Sequence, residues 1–212
     1  MPSPAAVRRS RRMEGPLTLA TIVEAALAIA RTEGIDVLTM RRLAADLRTA
    51  PMSVYRHVTD RQEILIAMLD AVAKGIVLPP VAGESDAEII GVFTAIHDAL
   101  RADIWAVDLI VVNKLASAQI LPAIERVYLA MRSAGLSASD TAAGYALLWQ
   151  YTVGELLDTA HSQTDEYRKQ MVRDSDRRRY PVMHEVLTEI SHAESDTRYA
   201  ENLRRIVDGI LT

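Results

Sequence analysis

The sequence contains no cysteine among its 212 residues. Disulfide bonds, zinc sites with thiolate ligands and a cysteine nucleophile are therefore excluded. The chain also lacks nucleophile motifs, Gly-rich phosphate loops and the two-histidine metal signature. We therefore predict that it is not an enzyme and that it uses no cofactor and no metal. No segment reaches the roughly 20 uninterrupted apolar residues of a membrane-spanning helix, so we expect no membrane partner.

The amino-terminal segment resembles a secretory signal only superficially. An arginine cluster at residues 8–12 precedes an apolar run at 17–30. However, Glu24 interrupts this run, and Ile22 and Ile29 recur at helical spacing, so we interpret it as an amphipathic core helix and expect a cytoplasmic protein. The arginine cluster is open to two interpretations, a flexible arm for phosphates or the minor groove, or a solubilising tail.

Alternating, strand-like runs are nearly absent, and the closest one, Leu109–Val112, is short and lies between helix-like segments. Helical periodicity instead predicts an all-α fold with a three-helix head, a connecting helix and a larger helical body. The charge-dense segment 165–179 is predicted as a solvated loop. The predicted helices cover residues 19–33, 40–47, a short stretch after Pro51, 60–77, 86–103, 104–116, 119–133, 138–162, 181–192 and 196–211.

Local capping signals mark the borders of several predicted helices. Thr39 can accept a hydrogen bond from the first turn of the second helix. Thr59 with Gln62, and Ser85 with Glu88, have the spacing of capping boxes, in which two side chains satisfy backbone N–H groups reciprocally. These signals predict where the connecting helix and the first helix of the body begin.

The net charge of −4 conceals an uneven distribution. Residues 1–61 carry 10 arginines, no lysine and 6 acidic residues, a net charge of +4, whereas residues 62–212 carry −8. The whole-chain charge argues against nucleic acid, because nucleic-acid binders usually carry a basic excess. A basic head on an acidic body is nevertheless the pattern of a chain with one end facing nucleic acid.

The basic head contains a helix pair with the proportions of a helix-turn-helix. That motif needs a supporting helix, a tight turn and a short second helix whose polar side chains meet base edges in the major groove. Residues 39–47, 48–50 and 51–58 fit these three parts. Val54 and Val58, four residues apart, predict the inner face of the second helix. The outward positions are Pro51, Met52, Ser53, Tyr55, Arg56 and His57.

Several stretches of the head match one known family in order, spacing and residue type, namely Ile22–Gly34, Leu38–Ala44, Met52–Val58 and Asp60-Arg61. They resemble the DNA-binding domain of the tetracycline repressor (TetR) family of bacterial transcription regulators. The body resembles, more loosely, the ligand-sensing and dimerising domain of the tetracycline-repressor branch. One departure is Arg48, at a turn position that is usually Gly. The implied domains are a flexible basic arm (1–16), a helix-turn-helix DNA-binding domain (17–62) and a helical ligand-sensing and dimerisation domain (63–212).

The resemblance implies a ligand-responsive regulator, most often a repressor, that binds a palindromic or pseudo-palindromic operator in double-stranded DNA and is released by a small-molecule effector. It implies a homodimer formed through the helices near 138–162 and 196–211. By position, the implied DNA-binding residues are Thr39, Arg41, Pro51, Met52, Ser53, Tyr55, Arg56, His57 and Arg61. The alternative is a DNA-binding regulator without a small-molecule ligand, acting constitutively or as an activator.

The implied DNA contacts differ in their roles. Tyr55, His57 and Arg61 would hold phosphates, and Thr39 would both cap its helix and reach a phosphate. Arg56 would read a guanine. We therefore expect sequence preference to depend on Arg56, and general affinity to depend on the phosphate contacts.

Polar and aromatic residues at otherwise apolar positions of the body are candidates for the small-molecule site. An apolar cavity with a few placed polar groups is the usual design of such a site. The same residues are also explained as core or interface residues with satisfied hydrogen bonds. The candidates are His97, Trp105, Asn113, Tyr145, Trp149 and Gln150.

Three possible metal ligands, Glu155, Asp158 and His161, lie along one helical stripe. Their types permit a divalent metal, and the tetracycline-repressor branch uses a metal-chelated drug. A solvated polar edge of a dimer helix is the simpler interpretation, and we predict no metal site there.

Overall fold

The structure, a computed structural model, describes residues 16–160, 165–190 and 195–212. Throughout these ranges the regular secondary structure is helical, without any strand, and the all-α prediction is confirmed. The arginine cluster of the predicted arm and His161 lie outside the described residues. The chain divides into two compact units, Met1–Met68 and Leu69–Thr212.

Within its described residues, the first unit contains three α-helices, a short 3₁₀ helix (Ile35–Val37) and the start of a fourth α-helix. The amino terminus of the first helix is capped reciprocally: the N–H of Thr21 donates to Thr18 Oγ1 at 3.2 Å, and the N–H of Thr18 donates to Thr21 Oγ1 at 2.9 Å. Ile22, Ala26 and Ile29 recur at helical spacing on its buried face and form part of the core. The helices are α1 (Leu19–Glu33), α2 (Met40–Asp46), α3 (Pro51–Val54) and α4 (Arg61–Lys74).

The turn between α2 and α3 has the geometry of a glycine-closed helix end, although an arginine stands there. Arg48 adopts a φ of 53°, in the left-handed region. The N–H of Thr49 donates to the Ala44 carbonyl at 2.9 Å, and the N–H of Arg48 donates to the Ala45 carbonyl at 3.2 Å. These paired bonds close a helix in the Schellman motif, so the arginine takes the backbone conformation that favours glycine.

The capping box predicted from Thr59 and Gln62 is wrong by one position. The N–H of Glu63 donates to Asp60 Oδ1 at 2.9 Å, and the Glu63 carboxylate accepts the N–H of Thr59 at 2.6 Å. Two carboxylates near the start of α4 are favoured over neutral groups because the first turn of a helix carries partial positive charge.

The second unit contains the remainder of α4 and, within its described residues, seven further helices. A short 3₁₀ turn, Ala118–Ile120, leads into the third of these helices. The helices are α5 (Ser85–Ala102), α6 (Trp105–Val111), α7 (Leu121–Ser133), α8 (Ala138–Ala160), α9 (Asp165–Arg173), α10 (Pro181–Ile190) and α11 (Ser195–Leu211).

The loop predicted over 165–179 is wrong for its first part, which forms α9. Gln170 donates through Nε2 to Asp174 Oδ1 at 2.7 Å, and Arg173 donates through Nε to Gln170 Oε1 at 3.2 Å. Side-chain pairs three and four residues apart stabilise an exposed helix without any apolar stripe. The high density of charged residues in this segment therefore indicates exposure to solvent and does not indicate the absence of a helix.

The segment between α4 and α5 is held in the second unit by an ion pair between the buried Glu88 and the half-buried Arg126. Arg126 of α7 places Nε 2.5 Å from Glu88 Oε1 of α5, and its Nη1 donates to the Pro79 carbonyl at 2.9 Å. The other oxygen of Glu88 accepts the N–H of Ala82 at 2.7 Å. Gly91 of α5 lets Pro79 approach, because a Cβ there would lie 3.0 Å from the proline Cγ. We call residues 79–82 the strap.

Glu88 consequently does not cap α5, and the box predicted from Ser85 and Glu88 is wrong. The helix already begins at Ser85, and no side-chain cap bond is made by the preceding Glu84. The Glu88 carboxylate is used by Arg126 instead. The hydrogen bond from Arg126 holds the pKa of Glu88 below its usual value, while burial acts in the opposite direction.

Within the described ranges, no helix combines the length and apolarity that spanning a membrane requires.

We expect the left-handed arginine of the α2–α3 turn to reduce stability. Replacing Arg48 by Gly should raise the free energy of unfolding by about 0.5–1 kcal/mol, because a left-handed residue with a Cβ costs about 1–2 kcal/mol and part of that gain is offset by unfolded-state entropy. Urea unfolding of the whole chain measures the change. Arg48→Ala is the control, since it keeps the Cβ and removes the guanidinium; equal effects of the two substitutions would contradict the prediction.

The ion pair that holds the strap should make stability depend on pH. Glu88→Gln should lower the free energy of unfolding by about 2 kcal/mol at neutral pH, the contribution of a buried charged hydrogen bond. Because the folded-state pKa of Glu88 is lowered, its stabilisation is present above the ordinary carboxyl pKa and is lost as pH falls through the lowered value. The difference from the unmodified chain should therefore shrink below about pH 4.

Thermal and urea unfolding across that pH range test the expectation. Glu125→Gln, at an exposed position of α7, changes the charge equally and serves as the control. A Glu88→Gln deficit that stays constant down to acid pH would show that the loss does not come from the charge.

Candidate nucleic-acid interface and ligand cavity

α3 ends at Val54, so the second helix predicted over 51–58 is shorter than expected, and residues 55–57 form a turn. Together α3 and this turn present a polar, exposed side and an apolar, buried side. Val54 and Val58 are buried, with 0% and 3% of their surface exposed, and they anchor the helix as predicted. Pro51 occupies the first turn, where its missing N–H leaves no helical bond unmade. Of the outward positions, Ser53 is half-buried, and those fully exposed are Pro51, Met52, Tyr55, Arg56 and His57.

The other three predicted DNA contacts are Thr39, the N-cap of α2, Arg41 within α2, and Arg61 at the start of α4. Thr39 caps α2 by accepting the N–H of Arg42 at 3.1 Å. Arg41 is exposed. Arg61, the first residue of α4, donates through Nε to the Leu38 carbonyl at 3.1 Å, so its guanidinium is already ordered by the first unit.

Arg42, the neighbour of Arg41, has a different role. Its guanidinium lies 2.6 Å from Glu33 and 3.3 Å from Asp46, and the hydrogen bond that it donates to Glu33 is the main reason that the pKa of Arg42 is raised. This arginine ties α1 to α2, whereas Arg41 points to solvent. The two adjacent arginines thus separate structural and surface functions.

The second unit contains a cavity of about 230 Å³. Its walls come from the carboxyl-terminal half of α4, from α5 to α8 and from the segment before α7. Ten of the lining side chains are aliphatic, and none is acidic, basic or histidine. The lining residues are Leu69, Val72, Ala73, Ile76, Ile96, Leu100, Ile110, Ala116, Ser117, Ile120, Ile124, Tyr145 and Trp149.

Two of the six predicted ligand residues, Tyr145 and Trp149, line this cavity from successive turns of α8. The Tyr145 ring packs edge-on against Tyr128, with ring centres 5.2 Å apart, and lies tilted 5.6 Å from Phe93. Burial raises the pKa of Tyr145 to about 12, so its hydroxyl is neutral at physiological pH. The two aromatic side chains form a fixed wall.

The other four do not line it, and those predictions are corrected. Gln150 is exposed because the helical period places it on the outer side of α8, and Asn113 is exposed in the bend after α6. Trp105 is buried, but its Nε1 donates to Asp103 Oδ1 at 2.9 Å and it takes part in the core. His97 belongs to a separate polar cluster.

The polar cluster around His97 lies among α5, α8 and α11. The Nε2 atom of His97 lies 2.7 Å from Glu155 Oε2, and its Nδ1 atom lies 3.1 Å from Asp98 Oδ1. The imidazole stacks on Tyr199 with ring centres 3.8 Å apart, and the Tyr199 hydroxyl lies 3.0 Å from Thr152 Oγ1. Burial raises the pKa of Tyr199. His97 is therefore a core residue with satisfied hydrogen bonds, the alternative that the sequence left open.

The contacts of His97 also involve Glu155, one of the three possible metal ligands Glu155, Asp158 and His161. The Glu155 carboxylate faces His97, and His161 lies outside the described residues. Among the residues that the structure describes, no group of three or more acidic or histidine side chains has the proximity that a metal ion needs.

Sequence reasoning missed the aliphatic walls and one polar pair. Ser117 lines the cavity, and its Oγ donates to Asp70 Oδ1 of α4 at 2.5 Å. The same oxygen accepts the N–H of Gln119 at 3.0 Å. A lone serine 47 residues from its partner carries no signal in the sequence.

Comparison with known proteins agrees with these features. The family model described as "Tetracyclin repressor-like, C-terminal domain" matches residues 87–212. The HTH-type transcriptional repressor DrrR1 of Streptomyces coeruleorubidus is 28% identical over 218 residues, which cover 96% of this chain and 80% of the relative.

Solved structures are similar over most of the chain. The Streptomyces coelicolor TetR family protein ActR, in complex with actinorhodin, has a TM-score of 0.80 and 27% identity, covering 93% of this chain and 96% of ActR. BioQ with its natural double-stranded DNA operator has a TM-score of 0.63 and 27% identity, covering 75% of this chain and 97% of BioQ. The match to the family model spans more than half of the sequence. The chain belongs to the tetracycline repressor (TetR) family of transcriptional regulators.

Proposed function

We propose that this protein is a repressor that binds a palindromic or pseudo-palindromic operator as a homodimer and releases it when a small molecule binds. The observation that carries the proposal is α3 with the turn that follows it, where buried Val54 and Val58 leave Met52, Tyr55, Arg56 and His57 exposed. A short helix with exposed polar side chains, in a basic head, suits recognition of the major groove. Operator binding requires access to chromosomal DNA, which we propose takes place in the cytoplasm.

The proposed DNA contacts divide into base readers and phosphate holders. Arg56, exposed in the turn after α3, can donate two hydrogen bonds to a guanine edge. Arg61, oriented by the Leu38 carbonyl, can neutralise a phosphate without reading sequence. Tyr55, His57 and Thr39 supply further phosphate contacts, and Arg41 supplies a base or phosphate contact. Similarity to BioQ, solved on its operator, supports this arrangement.

A dimer is proposed because one short helix reads only a few base pairs. Two copies related by a twofold axis read two half-sites about one helical turn apart. α8 carries a suitable surface: Leu147 is 48% exposed, Ala143 and Gln150 are exposed, and a Cβ at Gly154 would meet nothing within 4 Å. Small and apolar residues at helical spacing allow two helices to approach closely. We propose that α8 and α11 form the interface.

Ligand response is proposed from the cavity. α4 begins with Arg61 in the first unit, and its later residues Leu69, Val72 and Ala73 line the cavity of the second. A ligand that prefers one position of α4 must, by linkage, change the affinity for the operator, typically by a coupling of about 1–3 kcal/mol. This cavity, and the similarity to ActR with bound actinorhodin, favour a ligand-responsive regulator over a constitutive one.

Two arginine substitutions test the DNA interface. Arg56→Ala should weaken binding to an operator selected from a random pool by about 10- to 100-fold, with little change on unselected DNA, because a bidentate base contact is lost. Arg61→Ala should weaken both DNAs alike and reduce the salt slope by about 1, because a phosphate contact is lost. Fluorescence anisotropy over a salt series measures both quantities.

Arg101→Ala, on α5 in the second unit, changes the net charge equally and is the control. Circular dichroism checks that the Arg61 variant remains folded, because Arg61 also bonds the Leu38 carbonyl. If Arg56→Ala and Arg61→Ala both behave like Arg101→Ala, α3 does not dock as proposed.

A charge on α8 tests the dimer. Leu147→Glu should convert the dimer to monomer at micromolar concentration, because a twofold axis brings two like charges to the same apolar interface. Sedimentation equilibrium measures the association. Leu129→Glu, at a 57% exposed position of α7, is the matched control and should leave the dimer intact. Dissociation by the control but not by Leu147→Glu would move the interface away from α8.

A further inference from the structure

The walls of the cavity carry no formal charge. No lining side chain is acidic, basic or histidine, and the Tyr145 hydroxyl is neutral at physiological pH. A charged ligand would therefore lose its hydration without gaining an oppositely charged partner, which is strongly unfavourable. The nearest carboxylate in the hydrogen-bond network, Asp70, would additionally repel an anion.

The aromatic wall favours a ring. Tyr145 and Trp149 lie four residues apart on α8 and face the same cavity. Tyr145 is fixed by its ring contacts with Tyr128 and Phe93. Rigid aromatic side chains interact well with a ligand ring in edge-to-face or offset geometry. The volume of about 230 Å³ lies below the roughly 300–1,000 Å³ of typical ligand sites, which favours a small ligand.

Ser117 is the lining residue whose hydrogen bonds within the protein indicate which ligand group it can bind. A hydroxyl offers one hydrogen to donate and two lone pairs that accept. The hydrogen of Ser117 Oγ goes to Asp70 and one lone pair accepts the N–H of Gln119. The second lone pair can accept a hydrogen bond from a ligand. The serine therefore matches a ligand hydroxyl that donates, not a ligand carbonyl that can only accept.

We infer that the cavity takes an uncharged, mostly apolar aromatic molecule with one hydroxyl, which donates its hydrogen to Ser117 Oγ. This inference rests on the proposed ligand response and specifies the class of effector. It excludes carboxylates and metal chelates of an anionic drug as preferred ligands, because the cavity holds neither a cationic side chain nor metal-ligating groups among its lining residues. The ring lies against Tyr145 and Trp149.

Three probes with the same ring system test the class: 2-naphthol, naphthalene and 2-naphthoate. Equilibrium dialysis against the full chain at neutral pH gives each dissociation constant. 2-Naphthol should bind about 3- to 10-fold more tightly than naphthalene, the value of one net hydrogen bond. 2-Naphthoate should bind at least about 100-fold more weakly than 2-naphthol, because its charge would be desolvated without a partner.

Ser117→Ala tests the hydrogen bond. It should bring 2-naphthol to within about 2-fold of naphthalene while leaving naphthalene binding unchanged, because only the hydroxyl partner is removed. Ser133→Ala, at an exposed position at the end of α7, is the matched control and should keep the preference. Circular dichroism verifies folding, and the three probes on the unmodified chain remain decisive should the variant unfold.

The outcomes separate this inference from the proposed function. Equal or tighter binding of 2-naphthoate, or no binding of any probe, overturns the ligand class. A hydroxyl preference that survives in folded Ser117→Ala overturns the role of the serine. Operator binding is measured on the same preparations without probe. Failure of the probes with intact operator binding rejects only the inference, whereas loss of operator binding by the unmodified chain rejects the proposed function.

Discussion

The ion pair between Arg126 and Glu88 is the constraint on which the arrangement of the second unit depends. It joins α7 to α5, and its two partners also bind the backbone of the strap at Pro79 and Ala82. A buried pair contributes most when its remaining hydrogen-bonding groups are satisfied. The strap backbone supplies two such partners, whereas Arg126 Nη2 is buried without a hydrogen-bond partner among the described residues. Gly91 completes the arrangement, since a Cβ there would lie only 3.0 Å from Pro79 Cγ. These contacts fix the path by which the chain runs from α4 to α5.

The cavity follows from this path. Leu69, Val72 and Ala73 become wall residues because the strap fixes the chain a few residues beyond the end of α4. The hydrogen bond from Ser117 to Asp70 ties the same part of α4 to the segment that precedes α7. α4 is thus held within the second unit by a strap after it and by one hydrogen bond along it. A ligand that moves α4 does so against these contacts, and the hydrogen bond is the weaker of the two because it joins one donor to one acceptor.

Local chemistry predicted most of the fold, and long-range contacts account for the wrong role of Glu88 and for the cavity walls that it missed. The helices and the Thr39 cap depend on residues within four positions of one another, so periodicity and capping rules reach them. Glu88 has capping-box spacing, but its partner lies 38 residues away, and a sequence pattern does not rank those two choices. The ligand candidates failed for a related reason: polar and aromatic residues attract attention, whereas a cavity is built mainly from aliphatic side chains such as Ile96 and Ile120, which look like any other core residue.

Under the proposed function, the two recognition surfaces follow different physics, and this difference shapes the switch. Exposed cations such as Arg56 bind phosphates and bases by displacing counterions, so operator affinity falls steeply with salt. The uncharged cavity binds its ligand by removing apolar surface from water, so ligand affinity changes little with salt. Linkage requires that the effector change the affinity for the operator by the same factor by which the operator changes the affinity for the effector. Salt therefore sets how tightly the operator is held, while the coupling through α4 sets the fraction of that affinity which the effector removes.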